Sequence, residues 1–139
     1  MRIFLDANIL ITVVNNEYPR FTFCSRLLSL TDNSKFSVYT SPLCLSIAFY
    51  YAEKKNGNSL AKRKINILAE KLKYTTVGKD TVMRAAGNKM INDFEDGLEY
   101  YSAVDSNCKC IVTEDIEDFY FSEIEVLNAH DFLMKYAVK

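Results

Sequence analysis

The chain has 139 residues, of which 49% are apolar and 25% charged, and its formal net charge is −1. That length and balance fit one globular domain over residues 1–139, and they exclude a protein that holds nucleic acid by a global basic field, though not an enzyme with a local basic patch. No apolar run approaches the roughly 20 residues that cross a bilayer, so no membrane partner is expected. Asp6 interrupts the apolar opening almost at once, unlike a signal peptide, and with four cysteines left over this points to the reducing cytoplasm. Cys24 and Cys44 lie in apolar surroundings and read as small core residues. Cys108 and Cys110 share a face at a strand start, but the single histidine, His130, completes no zinc set with them.

Residues 2–5 read as the first strand, ending in Asp6, with Asn8 as the cap of a short helix over 8–14. Residues 15–19 form a loop. Phe23, Leu27 and Leu30 are spaced for a second helix over 21–30, closed by a polar turn at 31–34. Residues 36–40 are β-rich and make the second strand. Ser41 caps and Pro42 opens a third, strongly apolar helix running to about residue 54. After a turn at 56–59, residues 59–72 make an amphipathic helix whose basic side chains Lys62, Arg63, Lys64 and Lys71 read as a solvated face. A third strand is predicted over 74–77, a helix over 80–90 and another from about 92 to 107. The fourth strand covers 110–113 and is followed by an acidic turn at 114–119. A last strand over 123–127 leads to a helix capped by Asn128 that runs to the carboxyl terminus.

Strands thus alternate with helices throughout. The pattern predicts a three-layer α/β/α fold around a parallel sheet of four to five strands, joined by right-handed crossovers. Loops that follow parallel strands gather at one edge, where such folds bind ligands. Asp6 ends strand one, Asp115 and Asp118 follow strand four, and Asp93, Glu95 and Asp96 open the helix before it. If strands one and four are neighbours, at least three carboxylates converge. Oxygen ligands without cysteine or histidine favour Mg2+ or Mn2+. Taken singly, each acid also suits a solvated face or a helix start, and Asp93 and Glu117 are read that way.

The segments 4–10, 40–43, 93–103 and 110–119 together resemble the PIN domain, a family of metal-dependent nucleases. The most specific stretch runs from Asp93-Phe94-Glu95-Asp96 to Thr113-Glu114-Asp115 and Asp118-Phe119. The resemblance implies that Asp6, Asp96 and Asp115 are catalytic, metal-binding acids, that Asp118 is an accessory metal acid, and that Asn8 and Thr113 are supporting hydrogen bonders. It further implies RNA phosphodiester hydrolysis and, for a chain of this size, the toxin of a toxin–antitoxin pair with an antitoxin protein as partner. One position departs. The family places a glutamate on the helix after strand two, and counting from Ser41 that place falls at Ile47. No carboxylate occurs between Thr40 and Tyr51, and Glu53 comes nearly two turns too late. Glu95 is the expected substitute.

RNA contacts are expected from Lys54, Lys55, Arg84 and Lys89 near the acidic edge. Tyr50, Tyr51, Tyr100 and Tyr101 could stack on unpaired bases, although aromatic pairs on helices more often serve a core or a dimer. A homodimer is expected, with the second and third helices as candidate surfaces for it or for the antitoxin. A haloacid-dehalogenase-type phosphatase would need an aspartate at position 8, and a receiver domain would need an acid after strand three; both are absent. The alternative that stands is a PIN-fold protein without catalysis that acts by binding RNA or protein.

Overall fold

The computed structural model describes residues 1–137. Five parallel strands, β1 (Arg2–Leu5), β2 (Ser37–Thr40), β3 (Lys73–Tyr74), β4 (Cys110–Val112) and β5 (Glu125–Leu127), form one sheet in the order β3-β2-β1-β4-β5. Strand β1 is central, and its partners are in register as Leu5 with Val112 and Phe4 with Tyr39. Ile3, Phe4, Leu5, Cys110, Ile111 and Val112 are all fully buried. That unbroken apolar run, without alternation, is what a strand needs when helices cover both faces of its sheet.

Helices α1 (Ala7–Val14), α2 (Phe21–Ser29), α3 (Pro42–Asn56) and α4 (Asn58–Lys71) pack against one another as one layer, whereas α5 (Lys79–Gly87) and α6 (Phe94–Asp105) pair with each other on the return crossover from β3 to β4. A short helix, α7 (Ala129–Phe132), follows β5 and joins the α2 side. The fold therefore has three layers, and the strand order of its single sheet reverses between β1 and β4, where open α/β sheets place their ligands.

Local chemistry sets the helix ends. Ser41 caps α3 through its hydroxyl, which accepts from Cys44 N at 2.9 Å, and Pro42 occupies the first turn, where its missing N–H costs nothing. Gly57 separates α3 from α4 at φ 82°, a left-handed backbone that favours glycine. Gly97 lets α5 approach α6, since a Cβ there would stand 3.0 Å from Ala85 Cβ.

Several boundaries differ from the sequence reading. Helix α1 is capped by Asp6, whose side chain accepts from Ala7 N at 2.7 Å, and Asn8 lies inside the helix, free to turn its amide elsewhere. Strand β3 has two residues, because Thr75 bonds Thr40 O and then leaves the ladder, its hydroxyl meeting Ser102. The acidic turn is a 3-10 helix over Ile116–Phe119. Beyond α7 the chain continues as a π-helical turn, Leu133–Ala137, and residues 138–139 of the expected final helix lie outside the described residues. No described helix is long and apolar enough to cross a membrane.

Candidate metal centre

Asp6 sits at the carboxyl end of β1, where the chain leaves the sheet and turns into α1. Its backbone N–H still bonds Val112 O at 3.0 Å, so β4 holds the residue in place. One carboxylate oxygen caps α1; the other accepts from Thr113 Oγ1 at 2.9 Å. Thr113, fully buried at the end of β4, accepts in turn from Asn8 Nδ2 at 2.9 Å and from Asp115 N at 3.0 Å. Asn8 also donates to Asp115 Oδ2 at 3.1 Å and more weakly to Asp6 Oδ2 at 3.4 Å, while its carbonyl oxygen accepts from Glu114 N at 3.2 Å. Asn8 and Thr113 thus form a fixed bridge between two carboxylates more than a hundred positions apart in sequence.

The opposite wall is α6. Asp93 caps it, accepting from Glu95 N at 2.9 Å, and Glu95 and Asp96 occupy its first turn, where the helix dipole favours negative charge. Asp96 is half-buried. Burial first, and then the charges of Asp93, Asp6, Asp118 and Glu95, push its carboxyl up to about 7. The structure therefore brings Asp96 to Asp6 and Asp118, and Asp115 to Asp6 by way of Asn8. Asp115 and Asp118 lie on the exposed side of this group.

The sequence reading missed Glu99. One turn beyond Asp96, it is 1% exposed and faces Asp6. Its Oε1 accepts from Ser41 Oγ at 2.8 Å, and its Oε2 accepts from Cys44 Sγ. Ligand atoms of Asp6, Cys44 and Glu99 all lie within 4.8 Å of one another. Burial, then the charge of Asp6, raises Glu99 to about 8, and burial likewise raises Asp6 against its hydrogen bonds from Thr113 and Ala7. Two carboxylates so placed share at least one proton at neutral pH unless a cation separates them. The signal available in sequence was a charged residue inside the run 97–103, which is otherwise apolar, small or aromatic. Glu95, the expected substitute for a carboxylate on α3, is exposed at the mouth of the site. Cys44 is a buried core residue, as expected, and its thiol also contacts the Glu99 carboxylate and lies 3.9 Å from Asp6, because the Ser41 cap turns the first face of α3 towards the sheet edge.

Three of the four expected RNA contacts lie elsewhere. Helix α3 starts at the acidic edge and runs away from it, so Lys54 and Lys55 stand roughly 20 Å along the helix from Ser41. Lys55 caps the far end of α1 by donating to Asn15 O, as Lys64 does to Val14 O at 2.8 Å; Lys54 sits over the Tyr50 ring. Arg84 pairs with Asp80 and Asp105 and stacks on Tyr101 at 4.7 Å. Lys89 remains, on the segment that climbs from α5 towards Asp93 and is pinned by Tyr120, whose hydroxyl accepts from Asn92 N at 3.2 Å. Tyr100 is core, Tyr101 lies under Arg84, and Tyr50 and Tyr51 are exposed on the distal half of α3.

The donor set is oxygen-rich and suits a hard divalent cation. Among the described residues, no salt bridge engages Asp6, Asp96, Glu99 or Asp115. A family model described as a PIN domain matches residues 2–117. The chain is 28% identical over 138 residues to the protein named Ribonuclease VapC1 of Aquifex aeolicus, covering 94% of this chain and 92% of that one. Its fold is similar to that in the structure of VapBC2 from Rickettsia felis bound to a DNA fragment from its promoter, with a TM-score of 0.70 at 18% identity over 92% of this chain and 98% of that one. It is likewise similar to VapBC-1 from nontypeable Haemophilus influenzae, with a TM-score of 0.68 at 16% identity over 94% and 99% of the two chains.

Proposed function

Because the chain belongs to the PIN domain family, we propose that it is a divalent-metal-dependent endoribonuclease that hydrolyses RNA phosphodiester bonds, and the toxin of a toxin–antitoxin pair. The observation that carries this reading is the hold of the Asn8–Thr113 bridge on Asp6 and Asp115, with Asp96 near enough for its charge to act on Asp6 and no cationic side chain paired to any of the three among the described residues. Asp6, Asp96 and Asp115 would hold Mg2+ or Mn2+, with Asp118 beside Asp96 as an accessory acid. When bound, such an ion offsets negative charge on the phosphodiester and acidifies water.

The chain's own groups do the rest. Thr113 and Asn8 fix the rotamers of Asp6 and Asp115, so these carboxylates meet the substrate edge without reorganising. Asp96, half-buried and raised to about 7 by burial and its acidic neighbours, would ionise as it takes up the cation. Cys44 is no nucleophile: burial and the neighbouring carboxylates hold its thiol well above the usual range, hence protonated. Lys89, exposed on the segment before Asp93, would meet an RNA phosphate entering past residues 88–92.

A protein partner follows from the same reading. A cleft of about 330 Å³ between α1, α2 and α4, lined by Val13, Val14, Leu28 and Leu68 with Lys64, Lys71 and Asp32, suits an antitoxin segment with apolar side chains. Tyr50 and Tyr51, exposed on α3, offer a surface for a second copy. Four free, buried cysteines agree with a cytoplasmic setting.

The test is RNA cleavage with and without Mn2+ by the parent and by Asp6→Asn. Metal-dependent cleavage lost in the variant supports the reading; equal cleavage by both places the activity outside this site. The absence of a carboxylate at Ile47 favours a second reading, a module that binds RNA without cutting it. That reading predicts no rise in melting temperature with Mn2+, whereas a metal-loaded nuclease must show one.

A further inference from the structure

We propose that Glu99 is a direct ligand of the divalent cation at Asp6, and that α6 therefore supplies two carboxylates to the site while α3 supplies none. The inference rests on the nuclease reading for the presence of the ion, but not for the role of Glu99.

Glu99 is buried against Asp6, and a cation between the two would let both carboxylates ionise. Glu99 lies among Leu98, Tyr100, Ser102 and Ala103 on the buried side of α6. An ionised carboxylate there is costly unless it is compensated. Its hydrogen-bond partners, the Ser41 hydroxyl and the Cys44 thiol, are neutral donors that orient the group without neutralising it. The nearest charged group facing it is another carboxylate, Asp6. The separation suits a shared ion: bonds of about 2.1 Å put two oxygens at most about 4.2 Å apart across Mg2+, and the ligand atoms here lie within 4.8 Å. A small side-chain movement closes the difference.

The face of α3 aimed at the same point carries Ser41, then Cys44, then Ile47, and so brings no acid. On α6, Asp96 and Glu99 are three residues apart and share a face. Sulfur is a poor donor for Mg2+ or Mn2+. Cys44 is accordingly a positioning residue that holds the Glu99 carboxylate by donating to it.

Mn2+ binding to the full chain, read from the electron paramagnetic resonance of the free ion, tests this without any measurement of cleavage. Glu99→Gln should weaken binding by more than about 100-fold, beyond the roughly 10- to 100-fold cost of losing a typical outer partner. Glu95→Gln should keep it, and Cys44→Ala, which removes the thiol donor to Glu99 but leaves the carboxylate, should weaken it less than Glu99→Gln does. Without metal, Glu99→Gln should melt at or above the parent's temperature at neutral pH, because folding no longer has to hold a carboxyl protonated, so weaker binding would not reflect unfolding. Adding Ile47→Glu to Glu99→Gln should restore binding from the α3 side. If Glu99→Gln binds Mn2+ as tightly as the parent while Asp6→Asn does not, the role of Glu99 is overturned and the nuclease site stands. If the parent itself binds no Mn2+, both are overturned.

Discussion

The two ends of α6 treat acidic charge in opposite ways. At the carboxyl end Asp105 meets Arg84, which also pairs with Asp80 at 2.9 Å and stacks on Tyr101. At the amino end Asp96 and Glu99 meet Asp6, with Asp93 and Asp118 nearby, and among the described residues no salt bridge engages any of them. The compensated end is the exposed one, where an ion pair adds little to stability. The uncompensated end is the buried one, where charge costs most. A fold selected for stability alone would have the reverse arrangement, so the amino end of α6 is read as held for a ligand of opposite charge.

Changes at the amino end should have the larger effects. Asp6→Asn should lower metal-dependent RNA cleavage by at least about 10²-fold, the scale of losing one preorganised electrostatic group, while the metal-free melting temperature holds or rises. A fall in melting temperature would mean that Asp6 stabilises the fold chiefly as the cap of α1. Thr113→Val removes the hydroxyl that serves Asp6, Asn8 and Asp115 from a fully buried position. Denaturant unfolding should show a loss of about 1–3 kcal/mol, the cost of leaving buried polar groups unpaired, and cleavage should drop about 10- to 100-fold, as for an outer-shell partner.

The pH dependence sharpens the contrast. Glu99 rises from 4.5 to about 8 and Asp96 from 3.8 to about 7 on folding, burial being the first cause of both. Between those limits the folded state holds more protons than the unfolded one, so metal-free stability should fall as pH rises from about 4 to about 8. Mn2+ should flatten the fall, and so should Glu99→Gln; thermal melts across that range check both. The smallest effect belongs to the other end of the helix. Arg84→Met should leave Mn2+ affinity unchanged and move the melting temperature little, and a clear loss of affinity would break the division between the two ends.

How much of this was legible beforehand depends on range. The strand ending in Asp6, the Thr113 that ends β4 and the acids after it could be read because each is a local pattern; that β1 and β4 are neighbours is a condition of that reading, and the strand order meets it. Glu99 escaped because a carboxylate inside a buried helical run has no local signature of its partner, which comes from β1. Asn8 was taken for a cap because capping residues look alike one and two positions from a helix start. Lys54 and Lys55 were assigned to the acidic edge because sequence proximity to Ser41 conceals that a 15-residue helix carries its last turn to the other end of the sheet. Arg84 was misplaced for a related reason: α5 runs antiparallel to α6, which sets residue 84 beside Asp105 and leaves Lys89 to climb towards Asp93.

The most direct measurement is anomalous diffraction from crystals soaked in Mn2+. The account predicts a peak about 2.1 Å from a carboxylate oxygen of Asp6 and shared with a carboxylate of α6. Saturating Mn2+ that leaves Asp6 without a peak, or that binds only at exposed acids such as Glu117, would contradict it.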